Sequence, residues 1–185
     1  MRKRVLLFGW VTLLLFPIVG FLLRYFTNTN WRHFFELEKI SVIPLGYGFE
    51  LGIAYGFLAL LLMQAPIFET LPNRLDKMVA AMELKWCHGL FLSICAGVGE
   101  ELLFRSGIQP FLGWALTSIG FVALHGYLNP RNWRFSLYGL IILPFIFLIS
   151  RGFIVFGIWF CIAAHVAYDA VLFYALIDEN KSERN

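Results

Sequence analysis

Apolar residues in this chain come in runs long enough to cross a lipid bilayer, and that constrains its fold more than any motif. A helix spanning ~30 Å of hydrocarbon needs about 20 mostly apolar residues, and its backbone must satisfy its own hydrogen bonds there. Residues 5–23 meet the requirement directly behind the basic start Arg2-Lys3-Arg4. A signal peptide also begins this way, but this run is long for one and no small-x-small cleavage site follows it. The segment is therefore expected to be an uncleaved span. Further spans are expected at 43–63, 88–111, 112–127, 135–149 and 152–176, with Gln109-Pro110 near the tight turn between the third and fourth. Residues 68–86 differ. Leu71, Leu75, Met78, Val79, Met82 and Trp86 recur at helical spacing, with Arg74, Asp76, Lys77 and Glu83 between them. That is the pattern of a helix lying in the interface. The expected fold is all-α: a polytopic transmembrane helical bundle of about six spans plus one interfacial amphipathic helix, a single membrane domain over 1–185.

Composition agrees with lipid as the solvent. Of the 185 residues 59% are hydrophobic and only 15% charged, with a mean hydropathy of +0.73, more apolar surface than a soluble domain of this length can bury. The net charge of +3 is spread along the chain, so no nucleic-acid footprint is present. Cys87, Cys95 and Cys161 form no CxxC and no even-numbered framework, which points neither to disulfides nor to a structural zinc. Lys and Arg favour cytoplasmic loops. A cytoplasmic N-terminus places ten of them inside and five outside, and six spans return the C-terminus to the same side.

Against this background a few polar residues stand out, because ionisable groups within spans are costly and usually mark function. The third span carries Gly99-Glu100-Glu101-Leu102-Leu103-Phe104-Arg105. Glu101 and Arg105 are four apart and share a helix face, so they can pair. Glu100 points about 100° away and lacks that partner. Two adjacent carboxylates in a low dielectric do not both ionise cheaply, and a carboxylate left without a cation suits general-base work. The fourth span ends at His125, and the sixth holds His165 and Asp169 four apart, where the carboxylate can orient the imidazole. Depth matches too. Glu100 lies ~15 Å before Pro110, His125 ~20 Å after Leu112 and His165 ~18 Å after Phe153. Taken singly, a Glu-Arg pair is often a structural lock, and a membrane histidine is usually a helix-helix hydrogen bond. Four groups at one depth argue for a site. Phe121 reads as packing, and Glu50 in the second span has no partner in the sequence.

These residues resemble the three motifs of the CAAX-protease and bacteriocin-processing family, also called the Abi family. Its EExxxR pattern matches Glu100, Glu101 and Arg105. FxxxH matches Phe121 and His125, and HxxxN or HxxxD matches His165 and Asp169. The resemblance covers about Cys95 to Leu172, within a motif-bearing core of about 86–177. It implies a glutamate-type intramembrane endopeptidase acting on a membrane-anchored polypeptide within the bilayer. Glu100 and His125 would position and activate water, His165 and Asp169 would stabilise the oxyanion, and Glu101 with Arg105 would support the motif helix. The eukaryotic prenyl-protein proteases carry Asn where this chain has Asp169, and an ionised Asp donates no hydrogen bond. Their substrate specificity is therefore not carried over. The short chain favours a prokaryotic cell membrane as its location.

Two other readings stay open at this level. Glu100, His125, His165 and Asp169 contain a ligand set that zinc accepts, although the mechanism above needs no metal or cofactor. A non-enzymatic transporter, immunity or scaffold protein on the same fold also uses buried Glu and His. No GxSxG elbow and no HExxH motif is present to offer a different hydrolytic route.

Overall fold

A backbone in lipid can satisfy itself within a helix, and every long element among the described residues is helical. The computed structural model describes residues 1–27, 29–65, 82–128 and 133–182, with the side chains of the last segment over 136–177. Helix α1 covers Arg2–Tyr25 and short α2 covers Trp31–Phe35, followed by a 3-10 turn and α3 at Val42–Met63. Helix α4 (Trp86–Glu101) runs through a π-helical segment, Leu102–Ile108, into α5 (Gln109–Leu124). Helices α6 (Trp133–Phe156) and α7 (Ile158–Ser182) complete the bundle. The interfacial helix expected over 68–86 lies almost entirely outside the described residues.

Among the described residues, five helical stretches are long and apolar enough to cross a membrane, the third being Trp86–Leu124 with 39 residues. Straight, that stretch would measure ~58 Å, yet Glu100 and His125 at its middle and end lie 3.4 Å apart. The chain must therefore double back between them. It does so at Gly113, where φ 75 and ψ 168 fall in a region open essentially to glycine alone. The expected turn at Gln109-Pro110 is thus displaced by a few residues. Pro110 sits in the first turn of α5, where its missing N–H costs little. The returning arm from Trp114 to Leu124 rises only ~16 Å, about half a bilayer core, so the fourth expected span is a half-length one.

The boundary expected between 149 and 152 is displaced as well. Helix α6 continues through Arg151, whose guanidinium lies over the Trp114 ring, and ends at Gly157 with φ 85. There the Glu36 carboxylate accepts a 2.6 Å hydrogen bond from the Ile158 N–H and caps α7.

Glycines set the helix packing. A Cβ at Gly48 would strike the Phe160 carbonyl and one at Gly52 the Ala164 carbonyl, while one at Gly56 would lie 2.9 Å from Val171 Cβ. Contact positions rise together along both chains, so α3 and α7 run parallel with backbones nearly touching, the small-residue packing membrane helices favour. Gly9 against Leu92, Gly99 against Thr12, and Gly107 against Gly20 lay α1 along α4 and the π segment in the same direction. Gly89 against Phe173 and Gly97 against Val166 make α4 antiparallel to α7. Ser118 and Ser150 share a 2.6 Å hydrogen bond, and Gln109 donates to the Ser150 carbonyl, fastening α5 to α6. The starts of α1, α4 and α6 and the ends of α3 and α7 thus share one end of the bundle. Outward residues such as Leu7, Leu14, Val42 and Leu61 are more than half exposed, as lipid-facing surface should be. The chain is an integral membrane protein.

Candidate active site

The hairpin at Gly113 and the antiparallel packing of α4 on α7 bring the two halves of the site together. Glu101 is fully buried and holds two partners at once. Arg105 Nε donates to one of its oxygens at 2.8 Å, and His165 Nδ1 lies 2.8 Å from the other. The i,i+4 pairing expected for Glu101 and Arg105 is present. The link from Glu101 to His165, 64 residues away, joins α4 to α7 and had no signal in the spacing. The π segment begins directly after Glu101 and carries Arg105. Such wide turns recur at functional sites because they re-aim side chains. The Arg105 guanidinium also lies over the Phe121 ring, 5.4 Å from its centroid. Among the described residues its Nη1 and Nη2 have no hydrogen-bond partner.

Glu100, one residue earlier, faces away from this clamp. Its Oε2 is 3.4 Å from His125 Nε2. His125 Nδ1 lies 2.8 Å from the Phe121 carbonyl. A carbonyl only accepts, so Nδ1 carries a proton in this arrangement and Nε2 is the ring nitrogen turned toward Glu100. Phe121 stacks on this ring at 4.3 Å and meets His165 edge-on at 6.1 Å. The residue expected as packing therefore also fixes the planes of both imidazoles. On α7, His165 Nε2 faces Asp169 Oδ2 at 3.6 Å, beyond direct hydrogen-bond reach. A water or substrate oxygen has room to bridge them.

Glu100, His125, His165 and Asp169 line one cavity of about 420 Å³. The rest of its wall is largely apolar, from Val5, Phe8, Gly9 and Thr12 of α1 to Ile142, Phe145 and Ile146 of α6. Three tyrosines, Tyr127, Tyr138 and Tyr168, add polar tips. Sequence reading missed both groups. Tyr168 was findable, since it lies one turn from His165 within the third motif. The α1 wall was not, because it depends on Gly9 and Gly99 seating that helix. Among the described residues no three His, Cys, Asp or Glu side chains converge as a metal-holding group. Glu50 lines none of the cavities described here.

Fold and site together define a polytopic membrane protein with a Glu/His cluster lining a cavity among its helices, the class to which the three motifs point. Residues 82–171, just under half of the chain, match the Rce1-like family model, described as type II CAAX prenyl endopeptidase. The match contains all three motifs, and for this segment it bears out the recognition made from them. Neither the curated proteins nor the solved structures give a match to the chain.

Proposed function

We propose that the chain is an intramembrane endopeptidase that hydrolyses a peptide bond of a membrane-anchored polypeptide with a water activated by Glu100 and His125. The observation carrying this reading is the 3.4 Å approach of Glu100 to His125 Nε2 in a cavity shared with His165 and Asp169. Hydrolysis needs a base, a nucleophile and a group to hold developing negative charge. A water between Glu100 and His125 loses a proton to this pair as its oxygen attacks the peptide carbonyl. The carbonyl oxygen becomes an oxyanion, which a doubly protonated His165 meets with its Nε2–H. Asp169 beside it balances that charge and orients the ring, so no donor from an ionised Asp is required. The tetrahedral intermediate collapses as the C–N bond breaks. The departing amine takes the proton held by Glu100 and His125, leaving a carboxyl group on the other product. A single well-placed donor to such an oxyanion contributes on the order of 10²–10³ in rate.

Glu101 and Arg105 act through His165 and the π segment in this scheme, as positioning residues. The largely apolar cavity wall suits a substrate held in the bilayer, and the prenyl endopeptidase description of the matching family agrees with that class. No metal enters the scheme. The test is Glu100→Gln, which keeps the shape but not the base. It is expected to lower cleavage by about 10³-fold while leaving insertion and folding intact, and to retain bound substrate for identification. Cleavage by this variant near the wild-type rate removes Glu100 from its role. Wild-type activity is expected to persist in strong chelator, and a stoichiometric zinc whose removal abolishes it replaces this scheme with a metal one.

A further inference from the structure

Glu50 is the one charged residue of α3, eight residues after its first residue Val42, or ~12 Å along the helix. It is two residues from Gly48 and two from Gly52, hence ~200° round the helix from the glycines that contact α7. It is exposed, and no described residue forms a hydrogen bond or ion pair with it. Ionisable groups at such depth almost always face a protein interior or a water-filled cavity and pair there. Glu50 instead points away from the bundle, and its short stem does not carry the carboxylate to the interface.

Its neighbours one turn either way are small. Gly46 and Ala54 sit four residues before and after it, on the same side. Gly48, Gly52 and Gly56 are explained by α7, but a Cβ on Gly46 would meet nothing within 4 Å. The packing among the described residues therefore has no use for that glycine. A small residue above and below a buried polar group is the arrangement through which membrane helices approach closely and bond across their interface.

We propose that this outward face of α3 docks a partner transmembrane helix that presents a lysine or arginine at the depth of Glu50. A cation satisfies the carboxylate in charge and in hydrogen bonding at once. A second copy of this chain would place another carboxylate against it, and two carboxylates in lipid do not both ionise. The surface lies outside the cavity of Glu100 and His125, so the inference stands independently of the proposed cleavage reaction.

The experiment uses the full chain in phosphatidylcholine vesicles with two synthetic 21-residue Leu/Ala helices. One carries a single central Arg and the other Leu at that position, and association is read by energy transfer from a donor on the protein. The Arg helix is expected to associate about tenfold more tightly. Glu50→Leu should erase the preference, and Gly46→Leu should weaken it with the carboxylate still in place. The thermal midpoint of each variant reports whether the fold is kept. Equal association of both helices, or a preference that survives Glu50→Leu in the folded protein, overturns the proposal. So does energy transfer between two copies of the chain that depends on Glu50, which assigns the face to a second copy.

Discussion

Arg105 and Glu101 are both fully buried and depend on each other for charge balance. Truncating one of them leaves the other as an uncompensated charge in the membrane interior, which costs about 3–5 kcal/mol. Arg105→Ala is therefore expected to lose most of its folded yield, read by fluorescence-detected size exclusion in detergent. Glu101→Leu with Arg105→Leu is expected to recover that yield and still fail to cleave, because His165 has then lost its Nδ1 partner. Wild-type yield from Arg105→Ala would argue against the clamp. At this scale much was legible in the sequence. An i,i+4 spacing is enough to pair Glu101 with Arg105, and a one-residue offset is enough to turn Glu100 the other way. The bond from Glu101 to His165 was not legible, because it depends on how α4 and α7 pack and not on any local spacing. Phe121 was read as packing alone for the same reason: its stack on His125 is local, but its place under Arg105 is not.

Among the elements, the α4–α5 hairpin sets the distance between Glu100 and His125. Gly113 adopts a backbone conformation that other residues enter only with strain of about 1–3 kcal/mol. Gly113→Ala is expected to lower the thermal midpoint modestly and to reduce cleavage by a further factor of about ten or more, since small displacements of paired groups are costly in rate. Equal losses in midpoint and activity would mean that the turn only stabilises. The spans themselves were readable from hydropathy, which reports where lipid can lie. Their ends were less so. Pro110 looks like a turn but is tolerated in a first helical turn, and Arg151 looks like a loop residue but finds the face of Trp114. Hydropathy also does not distinguish a full crossing from the half-length arm after Gly113.

At the level of the molecule, the parallel and antiparallel contacts leave both termini at one end of the bundle. Together with the bias of Lys and Arg along the sequence, this predicts that both termini face the cytoplasm. Cysteines introduced near residue 2 and near residue 182 should both be protected from a membrane-impermeant reagent applied to intact cells and labelled after lysis. Labelling of either one in intact cells would reverse or break that topology. The cavity wall shows how the whole chain enters the site. Helix α1 lies about ninety residues before Glu100 in sequence and carries no motif, yet Phe8 and Thr12 close one side of the cavity. The matching family segment begins only at residue 82, so this wall is a feature of the chain that the motifs do not specify.

The π segment has a further meaning when it is regarded as a gear between two shafts. An α-helix turns about 100° per residue, so adding one residue to Leu102–Ile108 would rotate everything before it by that angle relative to α5. Glu100 and Glu101 differ by the same angle. A one-residue insertion would therefore offer His125 the wrong member of the pair without changing any residue that touches the cavity. The length of this segment selects which of two adjacent, chemically identical side chains faces His125.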